Sequence, residues 1–164
     1  MKLLSTFLLI TACASMSASA KWAPLSLKPL VESSGCIVVA EFVSEDSRST
    51  KDKRTDQLVT LKVTTIIKGT PAENIIVAGY EERICVPQFI FPTTKGQKYL
   101  LFLRRNGDQY EVNNGIFGAL TITNNQVNWF TDDSQRQHLG QRKPVDLQTA
   151  ITAIQREMKI ITKD

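Results

Sequence analysis

The sequence predicts a mainly β fold: a small barrel with a short helix before it and an amphipathic helix at the C-terminus. Three observations carry this. Runs rich in β-branched residues, such as Cys36 to Val43 and Leu58 to Ile67, end in turn residues. Asn106-Gly107 and Asn124-Asn125 each join two apolar-alternating runs, as hairpin turns do. Apolar residues recur at three- and four-residue spacing from Leu147 to Ile161.

Residues 1–20 read as an export signal. Lys2 supplies a positive start, Leu3, Leu4, Phe7, Leu8, Leu9 and Ile10 an apolar core, and Ala18-Ser19-Ala20 the small residues of a peptidase site. The expected cut after Ala20 leaves a chain beginning Lys21-Trp22-Ala23-Pro24, periplasmic or secreted. An alternative cut reads Ile10-Thr11-Ala12-Cys13 as a bacterial lipobox, with Cys13 lipidated and the protein anchored to a membrane as a lipoprotein. The apolar core is broken by Ser5, Thr6 and Thr11 and is too short for a permanent anchor, which needs about 20 apolar residues. No second long apolar run follows, so no transmembrane span is expected.

About 144 residues follow the signal, enough for one domain over 21–164. The formal charge of +4 falls to +3 once Lys2 is removed. On compartment grounds nucleic acid is not an expected partner. The densest basic stretch holds Arg48, Lys51, Lys53 and Arg54, interrupted by Asp52. It reads as a solvated loop or, more sharply, as a contact surface for anionic envelope lipids or polysaccharide. Either cut leaves Cys36 and Cys85 as the other cysteines, and an even pair in an oxidising compartment predicts a disulfide. It would close a loop of nearly fifty residues, worth roughly 4 kcal/mol on the chain-entropy account.

Taken in order, Ser26 is placed to cap a helix from Leu27 to Ser34, with Leu27, Leu30 and Val31 on one face and Gly35 as a left-handed stop. Pro29 fits its first turn. Cys36 to Val43 reads as a strand buried on both faces. Ser44 to Asp56 is polar and aperiodic, hence a mobile loop. From Leu58 to Ile67, Val59, Leu61, Val63 and Ile67 share one face and Thr60, Lys62 and Thr64 the other. Lys68-Gly69-Thr70-Pro71 turns the chain into a strand from Ile75 to Tyr80. Glu81 to Thr94 carries Pro87 and Pro92 and reads as irregular, pinned by the disulfide, with Phe89 and Phe91 closing one end of the core.

Lys98 to Arg105, centred on Tyr99-Leu100-Leu101-Phe102-Leu103, is the expected central strand, and Asp108 to Val112 returns from it. In the second hairpin Leu120, Ile122, Val127 and Trp129 point inward. Gly115 and Gly118, between the hairpins, mark a bend or bulge. Thr131 to Lys143 is polar, and Pro144 precedes the last helix, about 146–161, capped by Asp146. Its stripe of Leu147, Ile151, Ile154, Met158 and Ile161 is expected to pack on the barrel.

No catalytic constellation stands out. One histidine excludes His-based zinc clusters, and the mature cysteines supply at most two ligands, so neither metal nor cofactor is expected. There is no Gly-x-Ser-x-Gly elbow, P-loop or dinucleotide fingerprint. His138 lies in a polar, loop-like stretch. Glu81 and Glu82 are adjacent and diverge in an extended segment. Glu41, inside an apolar strand, is the most unusual acid: it faces water at an edge or barrel mouth, or lines a pocket. Tyr80, Phe89, Phe91, Tyr110, Phe117, Trp129 and Phe130 mostly build the core, whereas Trp22 lies at the free N-terminus.

The order of these signals resembles a recurrent type of exported bacterial protein. Leu27 to Val31 precedes the strand Ile37 to Val43. A long strand ends Val63-Thr64-Thr65-Ile66-Ile67-Lys68-Gly69. Ile75-Ile76-Val77, a cysteine and the element Gly96 to Leu103 follow. Such proteins are similar to the five-stranded Greek-key barrel of tissue inhibitors of metalloproteinases and netrin modules, an OB-like fold, over about two thirds of the chain. Metalloprotease inhibition is not implied. The animal inhibitors chelate zinc through an N-terminal cysteine, and here the N-terminus is Lys21 or a lipid-blocked Cys13. The expected function is therefore a non-catalytic envelope domain, including an inhibitor-like module, that binds a protein or polymer. The alternative is a small hydrolase whose acids, such as Glu41 and Glu111, converge in a cleft.

Overall fold

Alternation along two strands decides the architecture. The computed structural model describes residues 26–49, 55–80, 91–92, 94–129 and 143–162. Strands β1 (Cys36–Ser49) and β4 (Lys98–Asn106) pair antiparallel from Cys36↔Leu103 to Glu41↔Lys98. In β1, Ile37 and Val39 serve one core while Cys36, Val38, Ala40 and Phe42 serve another. In β4, Leu100 and Phe102 join the first, and Tyr99, Leu101 and Leu103 the second. All are buried, so the pair is covered on both faces, which is why its sequence is almost uninterruptedly apolar. The second core is the barrel interior, filled further by Val59, Leu61, Ile75, Val77 and Phe91. The first lies outside the barrel wall, beneath α1 (Leu27–Ser33) and α2 (Leu147–Ile161).

The barrel is closed, five-stranded and OB-like, in the ring order β1, β2 (Thr55–Lys68), β3 (Asn74–Tyr80), β5 (Gln109–Val112) and β4. Its seam is narrow: β3 and β5 run parallel and pair only at Val77↔Tyr110 and Ala78↔Glu111. Beyond the ring, β6 (Ala119–Thr123), β7 (Gln126–Trp129) and β8 (Lys143–Asp146) extend the sheet. Leu120, Ile122, Val127 and Trp129 complete the core under the helices.

Strand β4 joins the two parts. One edge holds β1; the other is shared, with Lys98–Leu101 pairing to β6 and Leu103–Asn106 to β5. Phe102 sits at the division. Its N–H donates to the Gly118 carbonyl and its own carbonyl accepts from the Asn113 N–H, both at 2.8 Å. The link between these partners reverses through Asn114 (φ 66°) and Gly115 (φ 54°), then a 3-10 turn at Gly115–Phe117. It brings Gly118 so close to the Asn113 carbonyl that a Cβ would overlap the oxygen.

The long hairpin departs from expectation. Ser44 to Asp56 is not a loop throughout: β1 reaches Ser49 and β2 starts at Thr55, paired to the end at Ser49↔Thr55. Backbone bonds hold this ladder, so no hydrophobic period announces it. A bulge between Phe42 and Ser44 leaves Val43 outside the register and 45% exposed. Two more register shifts, opposite Ile37 to Ala40, move Ile67 into the helix-side core while Val59, Leu61 and Val63 stay with the barrel.

Both hairpins form. Asn124 (φ 49°) and Asn125 (φ 60°) make a type I′ pattern. In the other, Asn106 pairs with Gln109, so Gly107-Asp108 are the central residues, and only Gly107 has positive φ (62°), the type II′ pattern. At α1 the Ser26 side chain makes no cap bond, and Gly35 does not take a left-handed stop. The helix end is closed instead by the Ser33 and Ser34 hydroxyls, donating to the Pro29 and Leu30 carbonyls at 2.7 Å, and by Lys68 Nζ, donating to the Val31 carbonyl at 2.7 Å. Pro144 lies in β8, an edge strand, where a missing N–H is tolerated. Asp146 caps α2 as expected, accepting from the Gln148 N–H at 2.8 Å.

The expected disulfide is not formed. Cys36 is a free, buried thiol, and burial pushes its pKa up to about 11. It lies at the barrel end under the Lys68-Gly69 turn, opposite Leu103. The described residues that flank the segment containing Cys85 are fixed elsewhere: Tyr80 opposite Asp56, and Phe91 bonded to Gln57, toward the far end of β1. Cys85 itself lies outside the described residues.

Two outcomes follow. Gly118→Ala forces the Asn113 carbonyl aside and is expected to cost about 3 kcal/mol. Gly35→Ala, where nothing lies within 4 Å of the position a Cβ would take, stays within ~1 kcal/mol of wild type. Urea denaturation compares them. The second outcome concerns pH. Burial raises Cys36 from 9.0 to about 11 and Tyr99 from 10.0 to about 12. The unfolded chain releases both protons first, so stability falls as pH climbs from about 9 to about 12, and Tyr99→Phe removes the upper part of that slope in denaturation curves.

Candidate functional site

Where β1 outruns β4, the hairpin becomes an arm. Pairing with β4 stops at Glu41, whereas pairing with β2 continues to Ser49, eight residues or roughly 25 Å further along the strand. Strand β3 braces it by pairing with β2 from Asp56↔Tyr80 to Lys62↔Asn74. A buried side chain braces it again. Gln57 is 5% exposed, and its amide both accepts from the Phe91 N–H (2.8 Å) and donates to the Phe91 carbonyl (2.9 Å), as a neighbouring strand would. Its Nε2 also donates to Glu45 Oε1 at 2.9 Å. Phe91 then closes the interior, edge-on to Tyr99 with ring centroids 5.3 Å apart, and the Tyr99 hydroxyl donates to the Pro92 carbonyl at 3.2 Å.

Sequence patterning does not announce this clamp. The signal that could have found it is parity: Gln57 continues the inward series of Val59, Leu61 and Val63. A polar residue in an inward slot must find partners, and Phe91 supplies them. Phe91 closes the core as expected; Phe89, Phe130, Trp22 and His138 lie outside the described residues.

The basic stretch is only partly described. Arg48 lies on β1 opposite Asp56. Lys51, Lys53 and Arg54 lie outside the described residues, as do Cys13, Glu81 and Glu82. By sequence the three cations belong to the connection between Ser49 and Thr55, the ends of the paired arm.

The acids of the hydrolase alternative do not meet. Glu41 stands opposite Lys98 and Glu111 opposite Arg104, six residues or about 20 Å apart along β4. Glu41 is half-exposed, in register with Lys62 on one side and Lys98 on the other. Lys62 in turn lies 3.7 Å from Glu73, an exposed pair worth little. Glu111 accepts from Asn106 Nδ2 at 2.7 Å. Among the described residues no group of His, Cys, Asp and Glu is arranged to hold a metal ion. No helix among them is long and apolar enough to cross a membrane.

The outward side of β2 and β3 is of mixed character. Thr60 pairs with Ile76, 43% exposed, and Lys62 pairs with Asn74. Ile66, 55% exposed, borders an open groove with Pro71 at the β2–β3 connection. The described aromatic rings Phe42, Phe91, Tyr99, Phe102, Phe117 and Trp129 are buried, and Tyr110 packs on the barrel core. No protein-family model matches the chain, and no curated protein is significantly similar to it.

Gln57→Leu keeps the volume but removes both Gln57 hydrogen bonds to the Phe91 backbone, an expected loss of about 3 kcal/mol. Gln57→Glu retains an acceptor, loses the donor and faces Glu45. Chemical denaturation is expected to rank both well below wild type, with faster amide exchange at Phe91 in Gln57→Leu, which alone removes the acceptor of that N–H.

Proposed function

We propose that this chain is an exported, non-catalytic binding domain of the bacterial envelope that contacts an anionic polymer or lipid surface through the end of the β1–β2 arm. One observation supports this above others: the arm stays paired to Ser49↔Thr55 and is braced by β3 and Gln57. By sequence Lys51, Lys53 and Arg54 belong to the five-residue connection whose two ends, Ser49 and Thr55, are paired. OB-like barrels commonly bind through this loop and the adjoining β2–β3 face, a fold-level analogy that agrees with the charge pattern. Cationic side chains near an anionic surface each contribute about 1 kcal/mol at low salt. The resemblance to tissue inhibitors of metalloproteinases and netrin modules adds an inhibitor-like reading, in which the same arm presents to a protein.

The test is binding of the purified chain to vesicles containing anionic lipid and to an acidic polysaccharide, across a salt series. Replacing Arg48, Lys51, Lys53 and Arg54 by alanine is expected to weaken binding about a thousandfold at low salt and to flatten the salt dependence. Equal binding by the variant, or none by wild type, contradicts the proposal.

A further inference from the structure

We propose that Asn106 is a site of spontaneous covalent modification, and that the product loosens the seam at which the barrel closes. Asn-Gly occurs twice among the described residues, at Asn106-Gly107 and Asn114-Gly115, in opposite surroundings. Asn106 is exposed at the end of β4, and no atom lies within 4 Å of the position a Gly107 Cβ would take. Gly107 is exposed as well, so water and base reach this turn. Asn114 is 7% exposed, inside the reversal that links β5 to β6.

The chemistry needs only water. The Gly107 nitrogen gives its proton to solvent base and bonds to Asn106 Cγ. The Cγ–Nδ2 bond breaks, and the nitrogen leaves as ammonia after taking a proton from water. Water then adds to either carbonyl of the five-membered imide, giving aspartate or, with the backbone rerouted through the side-chain carbon, isoaspartate. Nothing is oxidised or reduced. Glycine at 107 matters because a side chain there would crowd the attack.

The consequence follows from what Asn106 holds. Its Nδ2 donates to Glu111 Oε1 at 2.7 Å, and Glu111 occupies one of the two pairs, with Ala78, that close β5 onto β3. Conversion replaces this donor by a carboxylate, so two acceptors of like charge face each other. Isoaspartate also adds a backbone atom at the residue whose pairing with Gln109 sets the turn. Arg105 Nε, donating to the Gly107 carbonyl at 3.0 Å, is a second side-chain tie at the turn.

The experiment ages the intact folded protein in mildly alkaline buffer and maps both peptides by mass spectrometry. Asn106 is expected to convert, and Asn114 to convert at least about tenfold more slowly because its loop must first open. In denaturant the two rates should approach each other. Amide exchange at Ala78, whose N–H faces β5, should speed several-fold in the converted fraction, and Asn106→Asp should reproduce the part due to charge. Unchanged Asn106, equal folded-state rates at the two sites, or conversion that leaves Ala78 as protected as before would each overturn the proposal.

Discussion

Strand β4 has two edges and three partners, and the rest of the molecule is arranged around that shortage. The edge opposite β1 is divided at Phe102, whose N–H serves the β6 side and whose carbonyl serves the β5 side. The division lets one strand close a barrel with its second half and start an outer sheet with its first. Two cores result, one inside the ring and one between its wall and the helices. The reversal that makes this possible is short, so it requires left-handed residues at 114 and 115 and the absence of a side chain at 118. Its Asn113 amide also donates to the Ser33 and Ser34 hydroxyls at 2.9 Å, which ties the branch to the end of α1.

The same geometry sets up the arm. Because β4 begins at Lys98, β1 loses that neighbour after Glu41, and the remaining hairpin needs other support. The bulge at Val43 redirects it, β3 follows it to Asp56, and Gln57 substitutes a side-chain amide for a missing strand. A buried amide with both its donor and its acceptor used is inexpensive to keep and costly to lose. The proposed binding rests on this bracing of the two strands that flank the basic stretch.

Much of the architecture was legible. Where burial sets the residue choice, as in Tyr99 to Leu103, the Leu147–Ile161 stripe and the Asn124-Asn125 turn, the sequence pattern and the structure agree. The pattern is silent where backbone bonds or single polar contacts decide. The outer half of the hairpin has no hydrophobic period, β8 is a four-residue edge strand carrying a proline, and the turn after β4 is shifted by one residue because Asn106 pairs with Gln109. Compartment and an even cysteine pair favour a disulfide, but neither says where Cys36 sits relative to Tyr80 and Phe91. Of the candidate site, the charges were legible and the Gln57 clamp that supports them was not.

Native-state hydrogen exchange at the Phe102 and Asn113 amides tests most directly the claim that the shared edge of β4 organises the fold. If it does, both amides exchange only through global unfolding, with the same free energy and denaturant dependence as the β1–β4 amides of Val38 and Ala40. Exchange of Phe102 and Asn113 through a local opening, while the β1–β4 pair remains protected, would show that the branch is an accessory to a barrel that closes without it.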